Sequence, residues 1–390
     1  MKKVYAIIGS GRQGVSAAYD LALNGDAQKI YLIDRDKDTL NSAMEYINSR
    51  FGKDMAEAVL SEISDKSIIG KYLSQSDAAV SAVPYYYNLD LSKLAIETKT
   101  HFFDFGGNTD VVKSQLSLDL PARKAGVSIV PDCGMDPGMN ISLIMYVLSQ
   151  FDECNSVKSY GAGLVQNPTP PWNFALSFHV NGLTNEYYGK SLGLHDGELA
   201  EFNCFSEREF LDFPKPIGKL EAAVTSGGLS TLPISLKGKV HNLINKTLRY
   251  PGHWDRFEAF SDLGLFSTEP VEFEDRTIVP RDFYHFLLEP RITVPNLKDI
   301  GIIRIIAEGI QNGKRKEIDL LVEDYFDEQT GLTAMQRLTG WHASMAAILA
   351  VNGQIERGAL PVESAFPGEL VYNEMKNRGI KITVCESYPD

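Results

Sequence analysis

The chain has 390 residues, 44% hydrophobic and 23% charged, which is long enough for two or three ordinary globular domains. Its net charge of −13 repels phosphate backbones and anionic lipid, so neither nucleic acid nor a membrane surface is an expected partner. No run of eighteen apolar residues offers a membrane span, and Cys133, Cys154, Cys204 and Cys385 show no CxxC spacing, so no metal site or disulfide framework is expected.

The N-terminal MKKVYAIIGSG has an apolar core of only five residues that runs straight into a glycine motif. It reads as a first strand, not a signal peptide, and the cytoplasm is the expected compartment. The strand VYAII (4–8) is followed by Gly9-Ser-Gly-Arg-Gln-Gly14 and a helical pattern through Val15, Ala18, Leu21 and Ala22. A second strand (29–33) ends at Asp34, and a helix is expected over 38–50. The run AAVSAV (78–83) reads as a buried strand before Pro84; then come a helix (89–98), a strand (101–103), a helix (111–125) and a strand (127–130). This alternation predicts an N-terminal Rossmann domain with a doubly wound parallel sheet, taken as 1–138.

Beyond about residue 140 the pattern changes. Strand-like segments at 156–161, 174–180 and 302–309 are separated by Pro- and Gly-rich turns, which predicts an inserted α+β substrate and dimerisation domain with a mostly antiparallel sheet, 139–332. A helix at 335–352, another at 368–378 and a strand at 380–384 form a C-terminal segment, 333–390, expected to return to the first domain.

The glycine motif follows a predicted strand and opens a predicted helix, and Asp34 lies twenty residues after Gly14 at the end of the second strand. In that setting it is a dinucleotide-binding signature. Gly9 permits the tight turn, Gly11 lets the backbone approach a pyrophosphate, and Gly14 lets helix and strand close together. Arg12 and Gln13 lie in the loop, at the helix end whose free N–H groups and dipole meet the pyrophosphate. Asp34 accepts from the adenosine ribose hydroxyls and repels a 2′-phosphate, which favours NAD; the adjacent Arg35 suits a 2′-phosphate, so NADP stays open. A flavin would need further glycine-rich segments that the chain lacks, so nicotinamide is the expected cofactor. One ring of Tyr85, Tyr86 and Tyr87 is expected to cover it.

Further motifs run from end to end. They include Ser81-Ala82-Val-Pro84 with Asn88, HFFDFGG (101–107), Pro131 to Asn140, EAAVTSGG (221–228) with Ser230-Thr231, TLRYPGH (247–253), Thr333-Ala-Met335 and Pro367-Gly-Glu369. On these the chain resembles the saccharopine dehydrogenase/reductase-like family, and within it the lysine 6-dehydrogenases. The resemblance implies NAD(P)-dependent oxidation at an amino-acid C–N bond, Ala82 and Pro84 beside the cofactor, and at least a homodimer through the inserted domain. It implies lysine 6-oxidation first, a saccharopine- or carboxynorspermidine-type reductase second. A catalytically idle NAD-binding protein is the alternative of a different class.

Hydride leaves a carbon readily only when the attached amine is neutral, and an amine like that of lysine is almost wholly protonated at neutral pH. The site therefore needs a base. Asp104, Asp132 and Asp136 stand at the carboxyl ends of predicted parallel strands, where this fold places ligands. Asp104 and Asp136 are the expected catalytic acids. Asp136, just before Pro137, reads either as a helix N-cap or as a grip on the substrate nitrogen. The resemblance implies that saccharopine reductases carry an acid there and lysine 6-dehydrogenases a small apolar residue, so the substrate turns on this position. His253 is the histidine candidate for proton transfer, whereas His101 is read as structural. Arg249 suits a substrate carboxylate, or a structural ion pair. Thr225 and Ser226 offer hydroxyls to substrate or form a plain turn. Cys133 is read as a small buried neighbour.

Overall fold

The computed structural model describes residues 2–389. The chain divides into two compact units. The first comprises Met1–Ser149, Ser230–Ser235 and Gln336–Gly379; the second comprises Gln150–Leu229, Leu236–Met335 and Ile380–Asp390.

The first unit opens with β1 (Lys3–Ile8), α1 (Arg12–Asn24), β2 (Ala27–Asp34), α2 (Lys37–Phe51), β3 (Ala56–Leu60), α3 (Lys66–Leu73) and β4 (Ala78–Ser81). A single 3-10 turn (Tyr85–Tyr87) leads to α4 (Asn88–Thr98), β5 (His101–Asp104), α5 (Thr109–Leu116), α6 (Asp119–Ala125), β6 (Ser128–Val130) and α7 (Met139–Leu148). The strands pair in parallel in the order β6-β5-β4-β1-β2-β3. β4 and β5 are buried at every residue, as expected of strands covered on both faces by helices. The chain order reverses between β1 and β4, and a doubly wound sheet takes its ligand at the carboxyl ends beside that switch.

The second unit is built on a nine-stranded mixed sheet. Its strands start with β7 (Glu153–Val165), β8 (Lys190–His195), β9 (Glu198–Asn203), β10 (Glu209–Asp212), β11 (Lys219–Val224) and β12 (Val240–Arg249). The small hairpin β13 (Val271–Phe273) and β14 (Arg276–Ile278) stands apart, and β15 (Asp299–Gln311) and β16 (Lys314–Tyr325) follow. Only β7 with β12 is parallel among the described pairs of this sheet. β16 alternates buried and half-buried residues over most of its length, the signature of a strand with one covered face. Helices α8 (Val180–Glu186), α10 (His253–Asp262) and α11 (Pro280–Ile292) pack around an aromatic cluster of Phe174, Tyr187, Trp254, Phe257 and Phe266; α9 (Leu232–Leu236) lies between α8 and α10 in the chain.

Three expectations need correction. Residues 174–180 form no strand; Phe174, Ala175 and Leu176 are apolar because they fill the second unit's cores. The first unit takes in most of α12 (Ala334–Val351), together with the two-residue β17 (Gly358–Ala359), α13 (Val362–Ala365) and α14 (Gly368–Asn377). β17 adds to the first sheet beside β6. The last strand, β18 (Lys381–Ser387), instead pairs antiparallel with β16 and belongs to the second unit, because β16 otherwise presents an unpaired sheet edge. Finally, Ser230–Ser235 leaves the second unit's chain and is packed into the first.

Candidate active site

The turn after β1 is shaped by its glycines. Gly9 has φ of 97° and a Cβ there would lie 2.8 Å from the Ala82 carbonyl oxygen. A Cβ on Gly14 would lie 1.9 Å from the Gly9 carbonyl oxygen, whereas one on Gly11 would meet nothing within 4 Å. α1 therefore rests tightly on the turn while Gly11 faces open space. No side chain caps α1 and no acid sits in its first turn, so no carboxylate offsets the helix dipole where an anion would bind. Ser10 Oγ and Gln13 Oε1 are buried without a hydrogen-bond partner among the described residues. These features fit a bound dinucleotide, whose oxygens and amide would satisfy them.

Asp34 ends β2 with its carboxylate held in place: Oδ2 accepts from the Ser10 N–H at 2.6 Å and Oδ1 from the Asp36 N–H at 3.0 Å. It keeps lone pairs for ribose hydroxyls. Arg12 and Arg35 are exposed, as is Pro84, which starts the tyrosine turn. The Ala82 N–H donates to the Ile8 carbonyl at 2.7 Å, which ties the β4 loop to the glycine turn.

Three carboxylates stand at or beyond the carboxyl ends of β5 and β6, each in a different setting. Asp104 is fully buried. Its Oδ1 accepts from the Gly106 N–H at 2.8 Å and weakly from the Asp132 N–H at 3.4 Å, and its Oδ2 accepts from Gln115 Nε2 at 2.7 Å. Burial pushes its pKa up to about 6 in spite of these donors. Asp132, 4% exposed, has a left-handed backbone with φ of 61° and accepts from the Ser230 hydroxyl. Burial pushes it up to about 7, Ser230 pulls it down, and Asp104 and Glu363 add like-charge repulsion. Asp136 is half-buried and accepts from Asn140 Nδ2 at 2.7 Å. α7 begins at Met139 behind Gly138 with no side-chain cap, so Asp136 is not its N-cap; it props the loop through Asn140.

Neighbouring groups are neutral. The Cys133 thiol is buried, lies 3.4 Å from the Val130 carbonyl and is pushed well up by burial, so it is no thiolate. His342 on α12 meets Ser142 Oγ at 2.9 Å and is pushed down to about 4 by burial. His101 accepts from the Ser128 N–H at 2.9 Å beside Arg357, a structural role. Ser230–Ser235 is gripped by acids of the first unit: Thr231 and Ser235 donate to Glu363 at 3.0 and 2.6 Å.

In the second unit, Arg249 ends β12, 3% exposed. Its Nε donates to Tyr187 Oη at 2.9 Å and its Nη1 to the Leu248 carbonyl at 3.0 Å. The rings of Phe174, Tyr187 and Trp254 surround the guanidinium at 5.2 to 5.9 Å. Glu186 is the carboxylate paired with it, at 3.9 Å from Nη2. His253, expected to transfer protons, is buried, stacked on Phe257 at 4.2 Å and driven well below its ordinary pKa by desolvation and by Arg249. Arg249 Nε–H can only donate, so the Tyr187 oxygen accepts and its hydroxyl is left to donate to His253 Nε2 at 3.0 Å. The arrangement makes His253 a neutral brace for Tyr187 and Arg249. Thr225 and Ser226 spend their hydroxyls on Thr247 Oγ1 and the Asn185 carbonyl, both at 2.7 Å.

No group of three or more His, Cys, Asp or Glu side chains among the described residues is placed to hold a metal ion, and none of the described helices is long and apolar enough to cross a membrane. None of Tyr187, Ser230 and Glu363 is an expected site residue; Ser230 belongs to the Ser230-Thr231 motif, and the other two stand outside any recognisable motif.

Residues 5–130 match the saccharopine dehydrogenase NADP binding domain, and residues 134–380 match the saccharopine dehydrogenase C-terminal domain. A carboxynorspermidine synthase from Vibrio cholerae is 22% identical over 337 residues, 80% of this chain and 78% of its own length. The L-glutamate-forming, NADP(+) saccharopine dehydrogenase of Saccharomyces cerevisiae is 24% identical over 241 residues, which span 57% of this chain and only 51% of that protein. The apo structure of saccharopine dehydrogenase (L-Glu forming) from the same yeast aligns over 99% of this chain and all of its own, with TM-score 0.79 at 18% identity, which speaks for the fold.

Proposed function

The chain belongs to the saccharopine dehydrogenase family, and on that premise we propose that it is an NAD(P)-dependent oxidoreductase that oxidises an amino-acid C–N bond, with the lysine side-chain amine as substrate. The observation that carries the reading is Arg249. A guanidinium walled by aromatic rings, with its paired carboxylate at 3.9 Å, is a receptor for a ligand carboxylate. Tyr187 and His253 hold its plane. Nicotinamide bound in the first unit would supply the hydride acceptor. The chain's own residues bind the carboxylate, hold the pyrophosphate at α1 and accept the amine's proton at a carboxyl oxygen; Asp104 and Asp136 frame the loop that carries it.

The second reading is a reductase of the saccharopine or carboxynorspermidine type. An acid at position 136, which the resemblance associates with saccharopine reductases, favours it, as do the relatives of those names. Incubation with NAD and free lysine distinguishes the two. NADH and ammonia in equal amounts support lysine oxidation. No NADH with lysine, but turnover with saccharopine or with a diamine–aldehyde pair and reduced cofactor, supports the second. Tight dinucleotide binding with no turnover on any amine leaves an idle NAD-binding protein.

NAD is the preferred cofactor in this reading, because the fixed Asp34 carboxylate meets the ribose where a 2′-phosphate would repel it. Asp34→Ala should tighten NADP relative to NAD by roughly tenfold, about 1.4 kcal/mol, in calorimetric titration. A wild-type chain that already prefers NADP contradicts the assignment. The assembly proposed is a homodimer through the second unit's sheet. Sedimentation should give twice the 43.2 kDa of the chain, and a concentration-independent monomer would refute it.

A further inference from the structure

Asp132, rather than Asp104 or Asp136, is the carboxylate with unusual backbone positions gathered around it. Three unusual backbone positions converge on it. Asp132 itself has φ of 61° and Ser230 has φ of 44°, and neither is glycine. Such conformations are unfavourable for residues other than glycine and persist where the surroundings require them. Gly106, with φ of 72°, lies beneath the same carboxylate: a Cβ there would lie 1.8 Å from Asp132 Oδ1. The Ser230 hydroxyl, 98 residues along the chain, is brought to Oδ2.

The alternatives are committed elsewhere. Asp104 has no exposed surface and accepts N–H donors on both oxygens. Asp136 accepts the Asn140 amide that props its own loop. The Asp132 carboxylate receives a neutral hydroxyl, and no cationic side chain pairs with it among the described residues. The titratable groups around it are Asp104 from β5 and Glu363 from α13, both of which oppose its negative charge, and the Cys133 thiol of its own loop, which is neutral. His342, from α12, meets the Cys133 backbone and is neutral. A carboxyl so placed holds a proton readily and gives it up near neutral pH, the property a base for an amine needs.

Resting on the amine-oxidation reading above, we propose that Asp132 takes the proton from the substrate ammonium, with Ser230 and Asp104 as positioning residues. One proton passes from the nitrogen to a carboxylate oxygen and leaves a neutral amine and a neutral carboxyl; no electrons change hands in this step.

Two measurements test it. The acid limb of kcat/KM reports the base in the free enzyme. Ser230→Ala removes a donor to the carboxylate and should move that limb up by about one pH unit, since one such bond contributes on the order of 1 kcal/mol. Asp132→Asn should lower kcat by about a hundredfold or more with dinucleotide Kd unchanged. An Asn variant that keeps both kcat and the wild-type limb overturns the proposal.

The second measurement uses no substrate. Folding raises this carboxyl, so between about pH 4 and about 7 the folded chain keeps a proton that the unfolded chain has released, and Asp132 makes stability fall as pH rises through that window. The Tm of Asp132→Asn relative to wild type should therefore climb from pH 5 to pH 8. A flat difference overturns the assignment of a neutral-range carboxyl to Asp132. Should no amine be oxidised, the pH-dependent Tm difference survives and the amine reading alone fails.

Discussion

Arg249→Met is expected to lower kcat/KM for lysine by about 30- to 5,000-fold, the equivalent of 2–5 kcal/mol for stripping one partner from a buried, hydrogen-bonded charge pair. Most of the loss should fall on KM, because the carboxylate is held equally before and during the reaction. Dinucleotide affinity should not change. Arg249→Lys should not rescue the enzyme. An ammonium has no Nε to reach Tyr187 Oη and cannot present two parallel donors to a carboxylate. A control separates binding from structure. Pentane-1,5-diamine carries the same terminal amine without the carboxylate, so wild type and Arg249→Met should oxidise it at similar rates. A variant that loses both substrates equally has lost the brace formed by Tyr187 and His253, and the carboxylate assignment falls.

Gly11→Ala should weaken dinucleotide binding at least tenfold with an unchanged Tm, while Gly14→Ala should lose both binding and stability. The two methyl groups differ in what they strike. At Gly11 the protein leaves open space, so only a ligand approaching the backbone is obstructed. At Gly14 the new carbon would sit 1.9 Å from the Gly9 carbonyl oxygen and 3.0 Å from Ile7 Cγ2, so α1 must lift from β1. Overpacking of this kind costs about 1–3 kcal/mol. Calorimetry with NAD and thermal melts of the apo proteins distinguish them. Normal NAD affinity in Gly11→Ala would remove the close-approach role.

The parts that could be read from the residues are those in which neighbours in sequence are neighbours in space. β1, the glycine turn, α1 and Asp34 lie within one βαβ unit, so spacing alone reveals them. β3 went unseen because AEAVL sits at a sheet edge with half-exposed residues and never forms an apolar run. α5 and α6 were expected as one helix over 111–125; the chain breaks at Ser117-Leu118 and Pro121 falls in the first turn of α6, where a missing N–H costs nothing. At the carboxylate loop, composition supplied three acids but no means to rank them. The ranking came from groups far along the chain: Ser230 on Asp132, Gln115 on Asp104, and the late start of α7 that frees Asp136 from capping. His253 was a reasonable candidate as a residue type. Its role changed because Phe257, one helical turn on, stacks on the ring and buries it.

In the proposed reaction hydride leaves a carbon bearing nitrogen. The most direct measurement uses lysine deuterated at the side-chain carbon that bears the amine, incubated with enzyme and NAD, with the nicotinamide analysed by mass spectrometry. Each NADH formed should carry one deuteron, with a matching yield of ammonia. Reduced cofactor without deuterium would contradict it. So would an enzyme that binds NAD yet leaves lysine, saccharopine and carboxynorspermidine all unoxidised.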